Sequence, residues 1–345
     1  MRAVVIGATG NIGTSLVRRL TEDPEVTSVL GVARRAPEET PPGTSWASAD
    51  IRTDDLVSLF KDADVVIHLG WLFQPTHSPV VTWENNVKGS IRVFEAVAQA
   101  GVPALVYSSS VGAYSSADKK TPVDETWPTH GYPKAAYPVE KAYVERVLDT
   151  FEANNPSVRV VRMRPGFIFK RSAAGHQRRL FAGPFLPNVP LRPGIVPDLP
   201  GLRFQALHTE DAADAFHRAA MRDVSGAFNI AADPVVGPDL LADLMDARVV
   251  KIPAWPVKAA VAAAWKLHLL PATPGLFETV LRVPIMDTTR ARTELGWRAQ
   301  RTAKEAISEL LEGIEHRAGE DTPPLQADVP GGRAKEVATG VGTKD

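Results

Sequence analysis

The sequence predicts an α/β protein with a doubly wound parallel sheet, followed by a smaller, mostly helical C-terminal lobe. Three observations carry this. Short, nearly continuous apolar runs alternate with helical patterns through the first half of the chain. Such runs fit strands covered on both faces by crossover helices. The first run leads into a glycine-rich turn, "VVIGATGNIGTSL" (4–16). The alternation then breaks near residue 166, where a Pro-, Gly- and Arg-rich stretch begins.

The elements follow in order. "AVVIG" (3–7) reads as a strand and "IGTSLVRRL" (12–20) as a helix. "VLGVA" (29–33) is a strand, "DDLVSLF" (54–60) a helix and "DVVIHLG" (64–70) a strand, with His68 as a core histidine. "WENNVKGSIRVFEAVAQAG" (83–101) is a long amphipathic pattern stopped by Gly101. "PALVYSSS" (103–110), "KAAYPVEKAYVERVLDTFEANN" (134–155) and "VRVVRMRPG" (158–166) read as strand, helix and strand. Residues 1–166 thus form a dinucleotide-binding core by pattern, and 167–317 a substrate lobe. Within that lobe a helix (204–221) and a strand (227–233) return to the sheet, and Thr209 with Glu210 or Asp211 fits a helix cap. "WPVKAAVAAAWKLHLL" (255–270) is too short and charged to span a bilayer, and predicts an amphipathic or buried helix. Residues 318–345 are poor in large apolar side chains and predict a disordered tail.

Bulk properties narrow the function. The 345 residues are 44% apolar and 23% charged, with net charge −1. That sum gives no broad electrostatic footprint for nucleic acid or membrane. The absence of cysteine excludes disulfides, thiolate metal sites and cysteine nucleophiles. No spacing of histidines and acids suggests a metal site. The N-terminal apolar run is too short for a signal-peptide core, so a cytoplasmic location is expected.

Gly7, Gly10 and Gly13 stand three apart at the first strand–helix junction, the place of a Rossmann-type phosphate cradle. One glycine turns the chain, one lets backbone approach a pyrophosphate, and one lets helix and strand pack closely. Thr9, Asn11 and Ile12 lie in the same turn, where a helix N-terminus offers free N–H groups to an anion. The second strand ends "GVARRAP" (31–37), with Arg34 and Arg35 where an NAD site usually places an acid. Arginine suits a 2′-phosphate, so NADP is preferred over NAD. Asp50 and Ile51 follow the next strand and are candidates to bond and cover the adenine.

These pieces, with "ENNVKG", "LVYSSSVGAY" and "YPVEK" in that order, resemble the extended short-chain dehydrogenase/reductases, the NAD(P)-dependent epimerase/dehydratase group, over about residues 1–315. The resemblance implies an oxidoreductase or epimerase acting on a small-molecule substrate, with Tyr137 as acid/base and Lys141 lowering its pKa. It assigns Ser110, or its neighbour Ser109, to orient the substrate oxygen. It places Leu69, Gly70, Trp71, Asn86, Ser108 and Pro165 around the cofactor, with Asn86 bracing the lysine region. A homodimer through the long helices would follow the same likeness. Two departures bear on substrate. Ser110-Val111-Gly112 holds no Asp–Glu pair for dehydration, and no asparagine follows the strand ending "RMRPG", as it does in many sugar-nucleotide epimerases. Lys170, Arg171, His176, Arg178 and Arg179 are the counterweight, a basic cluster suited to a diphosphate. Trp71, Phe73 and His77 suggest an apolar pocket. A nucleotide-sugar epimerase holding NAD and a non-catalytic dinucleotide sensor are the alternatives.

Overall fold

Runs of β-branched and small apolar residues form the strands of one central sheet. Its first strands are β1 (Arg2–Ile6), β2 (Ser28–Ala33), β3 (Thr44–Ser48), β4 (Val65–His68), β5 (Ala104–Ser108) and β6 (Arg159–Pro165). Then come β7 (Phe167–Phe169), β8 (Ile195–Asp198), β9 (Ala206–His208), β10 (Gly226–Ile230) and β11 (Arg248–Lys251). The computed structural model describes residues 1–37, 40–327 and 331–343. Seven strands pair in the order β10-β6-β5-β4-β1-β2-β3, all parallel. The chain leaves β1 toward β2 and β3, then returns to its other side with β4. The switch point therefore lies between β1 and β4, where open α/β sheets bind ligands.

Helices cover both faces. One face carries α1 (Asn11–Thr21), which supplies Leu16 and Leu20 to a core that also holds Phe216, Phe228 and Trp297. The other face carries α2 (Leu56–Phe60), then α3 (Pro79–Trp83), which runs through a π turn at Glu84–Lys88 into α4 (Gly89–Gln99), and then α5 (Ala136–Asn154). Phe60, Phe94 and Leu148 are fully buried there. The later helices are α6 (Ala174–Gln177), α7 (Thr209–Met221), α8 (Pro238–Leu244), α9 (Ala254–Lys266), α10 (Pro274–Arg282), α11 (Thr289–Thr293), α12 (Ala303–Glu315) and α13 (Gly332–Ala338).

Three expectations change. The cap of α7 is His208, whose ring accepts from the Glu210 N–H (3.2 Å), and not Thr209, which is already the first helical residue. Helix α9 is neither amphipathic on a core nor enclosed, since none of its residues is buried. Where residues 318–345 are described, they make specific contacts with the rest of the chain. Glu320 accepts from Lys170 (2.8 Å) and Ser172 (2.6 Å), Leu325 is fully buried, and α13 presents Glu336 to Arg178 (2.7 Å). Charge pairing with the basic loop holds this segment, a signal that counting apolar residues misses.

Beneath β5 and β6 lies a buried charge network. Alternation along β6 sends Arg162 and Arg164 toward α5. There Arg164 bonds both oxygens of the fully buried Glu145 carboxylate (2.9 and 3.0 Å), and Arg162 bonds one (3.1 Å). The Ser109 hydroxyl donates to the same group (2.6 Å). Burial pushes the Glu145 carboxyl up, but the Arg164 and Arg162 guanidinium groups outweigh it and hold it at about 2. A lowered folded-state value stabilises the protein above the unfolded value of about 4.3, and the gain is lost as pH falls toward 2. Glu145→Gln should therefore cost about 3 kcal/mol or more near pH 7. In urea denaturation the gap to the wild type should narrow below about pH 4. A gap independent of pH would refute this account of the network.

Candidate active site

The crevice at the switch point is built from backbone. Gly7 sits at φ +81°, the left-handed region that favours glycine, and a Cβ there would lie 2.8 Å from the Gly70 nitrogen. A Cβ on Gly13 would clash with the Gly7 carbonyl and lie 2.7 Å from Ala8. Gly10 precedes α1 in extended conformation with no side-chain cap, which leaves the first-turn N–H groups for an anion. This cradle fits the pyrophosphate of a dinucleotide. Thr9 is buried, and its carbonyl accepts from Thr322 (2.9 Å). The Asn11 side chain is spent inside the protein, donating to the Ile168 carbonyl (3.2 Å) and accepting from Thr209 (3.0 Å). Ile12, in the first turn of α1, packs against the core.

At the other end of the crevice, Arg34 and Arg35 are exposed just past β2. Asp50 is bound by Arg52 (2.8 and 3.1 Å), which lowers its pKa. Ile51 is buried against the face of Gly89. Leu69 donates to the Ile6 carbonyl (2.9 Å), drawing the strand after β4 along β1, and Pro165 closes β6 opposite Ile230.

The end of β5 and the first turn of α5 meet over this crevice. Ser110 caps a short 3₁₀ turn, its hydroxyl accepting from the Gly112 N–H (2.9 Å), and it lies close enough to Tyr137 to draw the phenol's pKa down. Ser109 points the other way, into the Glu145 network. Of the two, Ser110 is the serine beside the Tyr137 ring. Gly112 makes room for the Tyr137 ring, since a Cβ there would lie 2.8 Å from it. Tyr137 stacks on Phe73 (4.9 Å, 18°) and meets Trp71 edge-on (5.9 Å). Lys141 is buried, donates to the Ser108 carbonyl (2.6 Å) and lies 3.5 Å from the centre of the Trp71 ring. Burial drives the Lys141 pKa well below its ordinary value, against the pull of Glu140 and Glu145. Burial pushes Tyr137 up to about 12, Ser110 draws it down and Glu140 raises it. Lys141, expected to lower the Tyr137 pKa, is bonded in this structure to the Ser108 carbonyl.

With this geometry in place, residues 3–231 match the NAD dependent epimerase/dehydratase family. The chain belongs to that family. An uncharacterised protein of Mycobacterium tuberculosis is 25% identical over 90% of this chain and 83% of its own length. The decarboxylating sterol-4-alpha-carboxylate 3-dehydrogenase of Saccharomyces cerevisiae is 29% identical over 48% of this chain and 50% of its own. Among solved structures, Thermus thermophilus UDP-glucose 4-epimerase in complex with NAD shares the fold, with a TM-score of 0.66. It is 21% identical, with 91% of this chain and 99% of that chain covered.

Glu140, unremarked in "YPVEK", joins this family member's site to its flanking loop. Its carboxylate is buried and accepts from Thr82 (2.6 Å) and Asn86 (2.7 Å). Asn86, in the π turn, also clamps Leu72 by accepting from its N–H and donating to its carbonyl (both 2.8 Å). Asn86 thus holds the loop that carries Trp71 and Phe73, and reaches the Lys141 region only through Glu140. Phe181, also unforeseen, packs edge-on against Phe73 (5.3 Å). Of the basic cluster, Lys170 and Arg178 pair with Glu320 and Glu336, and Arg179 donates to the Pro324 (2.8 Å) and Gln326 (3.1 Å) carbonyls. Burial holds His176 at about 4, hence neutral, while Arg171 stays exposed. Gly13→Ala has no room for its methyl, so it should weaken NADPH binding about tenfold or more and cost about 1–3 kcal/mol. Fluorescence titration and thermal melting read both, and unchanged values would show that the cradle is open at this point.

Proposed function

We propose that the chain is an NAD(P)-dependent oxidoreductase. It would move a hydride between nicotinamide and the carbinol or carbonyl carbon of an apolar substrate. The observation that carries this reading is the Tyr137–Ser110 hydroxyl pair set in an aromatic wall of Trp71, Phe73 and Phe181. The bound cofactor supplies the hydride or accepts it. Ser110 then bonds the substrate oxygen and orients it. In reduction, Tyr137 gives its phenolic proton to that oxygen as the carbon gains hydride. In oxidation the proton returns to Tyr137. With burial pushing its pKa up to about 12, the phenol is neutral near pH 7 and carries the proton that reduction requires. Lys141, anchored at the Ser108 carbonyl, would bond the cofactor ribose.

Apolar substrate is supported twice. Much of the basic cluster is engaged inside the protein, which argues against a diphosphate clamp. The partial-length yeast relative is named for a dehydrogenase of a sterol carboxylate. The second reading, a nucleotide-sugar epimerase, draws on the fold shared with UDP-glucose 4-epimerase. Consumption of reduced cofactor with carbonyl compounds favours the first reading. Interconversion of sugar nucleotides without net consumption favours the second.

NADP preference rests on the exposed Arg34 and Arg35, on the lack of an acid from Arg34 to Pro37, and on the engagement of Asp50 by Arg52. NADPH should bind more tightly than NADH. Arg34→Ala with Arg35→Ala should weaken NADPH about tenfold or more while leaving NADH unchanged. Equal affinities, measured by fluorescence titration, would remove the arginine argument. Tyr137→Phe should lower kcat about 100-fold or more with cofactor affinity nearly unchanged. Full turnover in that variant would refute the proton-transfer role.

A further inference from the structure

A surface helix is expected to turn polar side chains to water. Helix α9 is apolar nearly all round, with Val257, Val261 and Trp265 half-buried on one side and few polar side chains on the other. Its exposed positions include Trp255, Ala259, Ala263 and Lys266 at helical spacing, with Leu267 just beyond its end. Trp255 is 73% exposed and Leu267 67%. The helix is ~20 Å long, and apolar surface continues past both its ends. Toward its start, β11 pairs with β8, and Val249, Val250 and Ile195 are exposed there. Toward its end, Gly183 lies against Leu269 and Pro271, and the loop beyond Gly183 exposes Phe185 (54%) and Val189.

Cations outnumber acids on the segments that build this surface, where Asp198, in register with Lys251 across the β8–β11 pair, is the acid. No Asp or Glu occurs from Arg248 to Phe277, nor from Lys170 to Pro197. Arg248, Lys251 and Lys266 are exposed among the apolar side chains. Lys258 pairs with Glu278 of α10 (3.3 Å), and Arg192 lies 4.0 Å from Asp246. The whole-chain charge of −1 conceals this clustering, because it sums acids placed elsewhere.

We propose that this face docks the protein on an anionic lipid bilayer, with α9 lying in the interface and Trp255, Leu267 and Phe185 entering the acyl boundary. Exposed tryptophan and leucine ringed by cations is the chemistry that binds such a surface. No described helix is long and apolar enough to cross a membrane, so the contact is peripheral. A second copy is a poorer occupant. A two-fold interface sets a patch against itself, which would bring Arg248, Lys251 and Lys266 against their own equivalents with Asp198 as the one acid on these segments. The inference goes beyond the proposed reaction and does not depend on it. The same lobe carries Phe181, which reaches Tyr137 through Phe73.

The test is flotation of the full chain with vesicles of phosphatidylcholine alone and of phosphatidylcholine with phosphatidylglycerol. The protein should float with the anionic vesicles and be released by high salt. Lys251→Glu with Lys266→Glu, and separately Trp255→Ser with Leu267→Ser, should each weaken binding at least about tenfold. These side chains are exposed, so unchanged circular dichroism and melting would separate lost docking from lost folding. Absence of flotation with either vesicle, or flotation that neither double variant weakens, would overturn the proposal. Self-association in vesicle-free buffer that Trp255→Ser with Leu267→Ser abolishes would overturn it in favour of a second copy.

Discussion

The backbone at Gly7 passes so close to the backbone at Gly70 that neither chain direction nor side-chain size is free there. This contact joins the ends of β1 and β4 at the one point where the sheet reverses its winding. Much of the site depends on it. The turn leading into α1 keeps its N–H groups open, and the chain leaving β4 can carry Trp71 and Phe73 to the ring of Tyr137. Local backbone crowding at the switch point thus sets the distance between the phosphate cradle and the aromatic wall.

A second level of order comes from α5. On consecutive turns it carries Tyr137, Glu140, Lys141 and Glu145, each facing a different partner. Tyr137 meets Ser110, Lys141 meets the Ser108 carbonyl, Glu140 holds Thr82 and Asn86, and Glu145 neutralises Arg162 and Arg164. Anchoring by the two buried carboxylates fixes the rotation of the helix, and so the direction in which the tyrosine points. A helix held only by apolar packing would have more freedom to turn, because dispersion contacts are individually weak and non-directional.

What the sequence made legible was local in character. Glycine spacing at the first strand–helix junction, the alternation of strands and helices, and the Tyr137–Lys141 pair each need only a few neighbouring residues. The choice between Ser109 and Ser110 stayed open because side-chain direction at the end of a strand depends on the turn that follows. Glu140 went unremarked because an acid beside a lysine reads as a solvated pair, and its partners Thr82 and Asn86 lie far back in the chain. The basic loop suggested an anion site because its counter-ions, Glu320 and Glu336, sit in a segment whose composition predicts disorder. Asn11 read as a ligand residue because its partners Ile168 and Thr209 are distant in sequence. The NAD dependent epimerase/dehydratase family match covers the local signals and stops at residue 231, short of both the tail and α9.

Three serines in a row end in three different fates. The carbonyl of Ser108 anchors the lysine, the hydroxyl of Ser109 enters a buried ion cluster, and the hydroxyl of Ser110 meets the tyrosine. An alignment that slips by one position across this run would incur almost no mismatch there, yet it would exchange all three. Transfer of residue roles between relatives at this point has to follow the pleat of the strand, because residue identity carries no information about which serine is which.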